Sequence, residues 1–353
     1  MQRMKAARFY AQGDIRVEDI PVPEASPGEV LVRVRMCGIC GSDLRTLQHG
    51  SSGGRYRTPR TLGHEFSGVV EAIGDGLAGF HPGDRVAAAP ASACGACEPC
   101  RHGAPTLCAN ALDFGTTQDG AHAEYVIIPA ALVTQGGLVR LPNDLSDEKA
   151  SLLEPLGTCY RGLTTRGRMR PGETIVILGD GPIGLIQVML AKALGAGAVV
   201  CVGHHSDRLA LARELGASAV EAGTRDVSMA LRSAIGVAGA DLVVVSAPSP
   251  EAVEQSTSLV RGGGRVVVFG GVPRGSTVEI DPNRVHYGEL EIIGSLNCTT
   301  EEFRAGVEYA RRLPLDRLIT HRVPLDRILE GYQKLADRVA LKVVVETDGY
   351  RAA

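Results

Sequence analysis

The chain reads as an α/β protein of two domains: a small, partly open β-barrel and a doubly wound parallel sheet of the Rossmann type. Three observations predict this. The first ninety residues carry short Val- and Ile-rich runs separated by Pro-Gly and Gly-Asp turns. From Pro171 the texture changes to apolar runs alternating with helical patterns. At that change stands Gly179-Asp180-Gly181-Pro182-Ile183-Gly184, between a buried-type strand and a helix. Expected boundaries are 1–155 with 295–353 for the barrel domain, and 156–294 for the parallel-sheet domain.

Taken in order, the predicted barrel strands are 5–10, 15–19, 29–36, 68–73 and 85–88, then 123–128 and 138–140. Residues 50–60 read as a loop. Ser146 caps a short helix with acids in its first turn, ending at Glu154-Pro155. The run Thr174-Ile175-Val176-Ile177-Leu178 is apolar throughout, as a strand covered on both faces must be. A second such strand follows at 198–202, and strands at 242–246, 265–270 and 290–293 alternate with helices. The whole reads as a sheet of six parallel-type strands, five of them given by these runs. In the glycine loop, Gly179 permits the tight turn and Gly181 lets backbone approach a pyrophosphate. Gly184 lets helix and strand pack closely, and Pro182 suits the first helical turn. The free N–H groups of Ile183 and Gly184 and the helix dipole favour phosphate.

Composition narrows the function. The chain has 353 residues, 44% apolar and 22% charged, with formal net charge −3. No basic footprint suggests nucleic acid. No apolar run reaches the roughly 18 residues of a membrane helix, and the N-terminus has no signal-peptide core. The expected compartment is the cytoplasm. Nine cysteines in such a chain point to metal more than to disulfides.

Two cysteine groups stand out. Cys94, Cys97, Cys100 and Cys108 have the spacing of a closed four-thiolate site, which leaves no position for substrate: a structural Zn²⁺. Cys40, within Cys37-Gly38-Ile39-Cys40-Gly41-Ser42-Asp43, pairs with His64 in Gly63-His64-Glu65. Thiolate and imidazole suit zinc, and Asp43 and Glu65 stand where carboxylates would orient the ligands.

These motifs, together with Glu154-Pro155-Leu156-Gly157 and Leu341-Lys342-Val343-Val344-Val345, resemble the zinc-containing medium-chain dehydrogenases, in their sorbitol and threonine dehydrogenase branch. The likeness runs over essentially the whole chain. It implies a GroES-like catalytic domain split around a Rossmann domain, one catalytic and one structural zinc, and a homodimer or homotetramer. It assigns Cys40, His64 and Glu154 as catalytic-zinc ligands and Glu65 as a supporting or alternative ligand. It makes Ser42 the proton relay and Asp43 the carboxylate orienting His64. The implied reaction passes a hydride between NAD(P)(H) and an alcohol/ketone pair, with a polar substrate such as a polyol, sugar or amino alcohol.

Two positions depart from the branch. Arg45 stands where the relay commonly ends in histidine; an arginine cannot serve as a base near neutral pH, so either water finishes the relay, or Arg45 binds an anion such as a cofactor phosphate, or it is a solvated surface arginine. His49, nearby, is a second relay candidate, expected on a loop. Gly203 stands where NAD-specific members carry an acid at the end of the second strand. Its lack of a side chain is expected to leave room for a 2′-phosphate, with His204, His205, Ser206 and Arg208 as donors; this favours NADP(H) over NAD(H). Polar loops at 45–58, 111–118 and 295–299, with Arg45, Arg55, Arg57 and Asn297, are the expected substrate surroundings. The competing readings are a zinc-free reductase, a zinc-ribbon protein, and a non-catalytic dinucleotide sensor or structural protein on the same fold.

Overall fold

The computed structural model describes residues 2–50, 57–222, 227–236 and 239–347; at 228, 230, 234 and 235 only the backbone is described. Arg55 lies outside the described residues, as does most of the loop expected over 50–60. Contacts divide the chain into two compact units, Met1–Gly157 with Cys298–Ala353, and Thr158–Asn297.

In the first unit the strand Val30–Gly38 is the hub. It pairs antiparallel with Glu65–Ile73, Tyr125–Ile128 and Lys342–Glu346. Its inward residues Val30, Val32, Val34 and Met36 are at most 2% exposed, which is what fixes its register against a one-residue slip. That register matters for chemistry. Gly38 lies opposite Glu65 on one side and opposite Val344 on the other. The strand's end therefore meets two neighbours that carry Glu65 and Lys342. Asp147, buried in the first turn of the helix Asp147–Ala150, accepts from Arg35 at 2.9 Å and from Arg85 at 2.7 Å. Both arginines reach it from barrel strands, so one buried carboxylate fastens the helix to the sheet.

The expected helix end at Glu154-Pro155 is not observed. The helix Asp147–Ala150 stops early, and a second one runs Leu153–Arg161. Pro155 falls in its first turn, where a missing N–H costs nothing. Glu154 sits at the helix N-terminus, favourable for an acid. A second correction concerns Arg45 and His49. Both lie on the helix Gly41–His49 and not on a loop, and both are exposed.

The second unit is a six-stranded parallel sheet with strand order 3-2-1-4-5-6. The central strand Thr174–Leu178 is flanked by Ala198–Gly203 and Ala240–Val245, and its four apolar residues are at most 3% exposed. Each such side chain contributes about 1.5–3 kcal/mol on burial. The edge strand Ser218–Glu221 completes the six. Only four residues long and half-exposed, it lacks the apolar run that marks its neighbours in sequence. Gly179 adopts φ +127°, and a Cβ at Gly184 would collide with the Gly179 carbonyl. Both glycines are thus required by the turn and by the helix packed on it.

Candidate metal and dinucleotide sites

The metal candidate begins where Val30–Gly38 ends. Cys40 is the N-cap of the helix Gly41–His49. Its N–H donates to Asp43 Oδ2 at 3.0 Å, and its Sγ accepts from the Ser42 N–H at 3.5 Å. Two residues of one motif therefore hold the thiol at the helix start. His64 enters from the residue before Glu65–Ile73, with Nδ1 3.6 Å from Asp43 Oδ1. One ligand atom each from Cys40, His64 and Glu65 lies within 4.8 Å of the others. Glu154 falls outside that trio. It is close enough, with Asp43 and Cys40, to act on His64: burial would lower the imidazole, but Asp43, then Cys40 and Glu154, together raise it well above its ordinary value. A thiol, an imidazole and nearby carboxylates, with so much negative character around one ring, fit a divalent cation of the zinc type. Ser42 is half-buried beside them.

Glu65 is 1% exposed and is engaged by the buried Lys342, whose ammonium also donates to the Ile39 carbonyl at 3.2 Å. Lys342 is 5% exposed. Burial works against its charge, but Glu65, Cys40 and Glu154 raise it overall. Sequence reasoning gave Lys342 no role. The signal was there, since a lone lysine inside Leu341-Lys342-Val343-Val344-Val345 must find an anion to be buried. His122, also not anticipated, is fully buried behind the site. Its Nε2 lies 3.4 Å from the Gly38 carbonyl and its Nδ1 3.4 Å from the Tyr332 hydroxyl. Burial lowers it, and a neutral ring donating from Nε2 and accepting from Tyr332 satisfies both contacts.

The four-cysteine group is gathered in the same unit. Cys97 Sγ lies 3.4 Å from Cys100 Sγ and 3.8 Å from Cys108 Sγ, and all four sulfurs lie within 4.8 Å of one another. Four thiolates at the usual zinc distance stand about 3.8 Å apart, so the arrangement fits that ion. The N–H of Ala96, then that of Cys97, and the Cys108 thiol bring Cys94 down to about 6, while burial and its thiol neighbours push Cys100 up to about 12.

In the second unit the helix Pro182–Ala193 starts at Gly181, with no side chain capping its first N–H groups. A Cβ at Gly181 would meet nothing within 4 Å. Unclaimed donors, Ile183 and Gly184 in the first turn, and open space beside Gly181 fit a pyrophosphate. The end of the second strand differs from expectation. Gly203 does not leave room: a Cβ there would collide with Asp180. Asp180 folds back from the glycine loop and accepts from the N–H of His204 at 2.8 Å and of His205 at 2.7 Å, and from His205 Nδ1 at 3.0 Å. His204 is exposed and Arg208 half-buried.

Residues 26–141 match the alcohol dehydrogenase GroES-like domain, and residues 182–312 match the zinc-binding dehydrogenase family. An L-threonine 3-dehydrogenase of Rhizobium etli is 31% identical over 97% of this chain and 98% of its own. The chain belongs to the zinc-containing medium-chain dehydrogenases, in the sorbitol and threonine dehydrogenase-like branch. The Bacillus subtilis sorbitol dehydrogenase is 31% identical over 98% of this chain and 97% of its own. Among solved structures, a zinc-binding dehydrogenase from Sinorhizobium meliloti 1021 bound to NADP superposes with TM-score 0.90 at 35% identity, covering 98% of this chain and 100% of that one. The family makes this chain a zinc-dependent, NAD(P)-dependent alcohol oxidoreductase. No helix among the described residues is long and apolar enough to cross a membrane.

Proposed function

We propose that this dehydrogenase interconverts a polar secondary alcohol and its ketone, of the polyol, sugar or amino-alcohol class, with NADP(H) favoured over NAD(H). The observation that carries the reading is the convergence of Cys40, His64 and Glu65 around Ser42 and Asp43. Cys40, His64 and Glu154 hold the catalytic zinc. Glu65 is the alternative ligand, restrained by Lys342. Cys94, Cys97, Cys100 and Cys108 hold the structural one. When bound, the catalytic ion supplies Lewis acidity toward the alcohol oxygen, and the nicotinamide supplies hydride chemistry.

The chain's own residues do the rest. Asp43 fixes both the Cys40 backbone and the His64 ring. Ser42 Oγ accepts the hydroxyl proton while passing its own on toward water as the alcohol is oxidised, and the relay runs backward in reduction. Arg45, one turn on and exposed, binds an anion or leaves water to finish the relay. Gly179, Gly181, Pro182, Ile183 and Gly184 cradle the pyrophosphate. Gly203, His204, His205, Ser206 and Arg208 form the adenosine side, and the side chains of His204, Ser206 and Arg208 support the NADP(H) preference. The open edge strand Glu291–Gly294, with Ile292 39% exposed, supports a homodimer or homotetramer.

The test is turnover by the zinc-loaded enzyme over matched alcohols. The kcat/KM for polyols, amino alcohols and sugars should exceed that for alkanols of equal chain length by at least tenfold. Equal or better turnover of plain alkanols would overturn the polar-substrate reading. No turnover of any alcohol or ketone would return the dinucleotide sensor to the front.

A further inference from the structure

We infer that Asp180 is a specificity-determining residue: it returns, from the glycine loop, the carboxylate that Gly203 withholds at the strand end, and opposes a 2′-phosphate there. The inference rests on the reading of this unit as dinucleotide-binding. Three observations carry it. The Asp180 carboxylate fills the volume beside the Gly203 Cα, where a strand-end acid would begin. It takes the N–H groups of His204 and His205 and the Nδ1 of His205, which are donors a 2′-phosphate would otherwise use. Its side chain is 8% exposed, so water screens its charge little. The neighbouring Cys201 thiol feels that charge, pushed up to about 12 by burial first and Asp180 second.

Sequence position hides this exchange. An acid is absent from the second strand and present in the middle of Gly179-Asp180-Gly181, some twenty residues earlier. The fold places the second where the first would be. Gly203 is then required for space, since any side chain there would evict Asp180. The His204 ring, Ser206 and Arg208 pull toward NADP(H) while Asp180 pulls toward NAD(H). The wild-type preference is accordingly shallow, less than tenfold.

The experiment is a nicotinamide-fluorescence titration of the zinc-loaded protein with NADPH and with NADH, for wild type, Asp180→Ala and Asp180→Asn, beside thermal unfolding of each. Both substitutions should move the affinity ratio toward NADPH by tenfold or more, chiefly through tighter NADPH. Asn keeps the size and one acceptor oxygen for the two backbone N–H groups while removing the charge, so it decides the matter if the Ala variant folds poorly. A shift below tenfold in the Asn variant, a shift toward NADH, or equal weakening of both would overturn the role. Equal weakening with a lowered Tm would mark Asp180 as a clamp on the turn alone. A wild type that binds NADH more tightly would overturn the NADP(H) preference and leave the Asp180 test standing. A wild type that binds neither would remove the dinucleotide reading and this inference with it.

Discussion

The two cysteine-bearing clusters of the first unit are built in opposite ways. The four thiols of Cys94, Cys97, Cys100 and Cys108 come from fifteen consecutive residues at the surface, and the loop around them has little core: of the four, only Cys108 is buried. The Cys40 cluster draws on residues far apart in the chain, 40, 43, 64, 65 and 342, with Glu65 and the Lys342 strand brought to Gly38 by strand register. Its carboxylates Asp43 and Glu65 are buried. The difference teaches what an ion in each cluster would be for. A local, all-thiolate site is closed by its own segment and folds it. A mixed site assembled by the whole barrel keeps its ligands oriented independently of the metal, as chemistry requires.

The comparison can be broken first at the surface cluster. Cys97→Ala should remove a metal whose binding is worth on the order of 10 kcal/mol of local folding. Folded yield and thermal stability should both fall. A variant as stable as the parent would show that the loop does not depend on an ion. Next in size is the buried pair. Lys342→Met leaves Glu65 charged and alone, at a cost of about 3–5 kcal/mol, or a Tm drop on the order of 10 °C. Adding Glu65→Gln should recover part of it. No drop in the single variant would mean that Glu65 is balanced by something other than Lys342.

The smallest effect belongs to a surface pair in the same unit, which calibrates the buried one. Arg322 donates to both oxygens of Glu148 and holds that carboxyl below its ordinary value of 4.5. A depressed acid contributes stability above the ordinary carboxyl range and loses it as pH falls through the folded pKa. Arg322→Ala should therefore cost about 1 kcal/mol or less at neutral pH and nothing at the acid end, read by urea unfolding across pH. A loss as large as that of Lys342→Met would erase the distinction between the two environments.

Much of this was legible in the sequence because it is local. The glycine loop, the Cys40-to-Asp43 motif and the cysteine spacing are each set within a few residues. What stayed hidden depends on distance. Lys342 meets Glu65 across 277 positions, through a register that no window of sequence contains. Asp180 reads as a loop residue until the fold brings it to the end of the neighbouring strand. The helix continuing past Pro155 was misjudged for a subtler reason: the preceding helix stops at Ala150, so Pro155 enters a new first turn and not an old interior.

The most direct measurement is zinc content against turnover for wild type, Cys40→Ser and Cys97→Ala, each purified under the same conditions and titrated with dinucleotide. The two-cluster account predicts two zinc ions in wild type. It predicts one in folded Cys40→Ser, with turnover abolished and dinucleotide affinity within about threefold of wild type, well under the 1.4 kcal/mol of a tenfold change. Normal turnover by Cys40→Ser would contradict it.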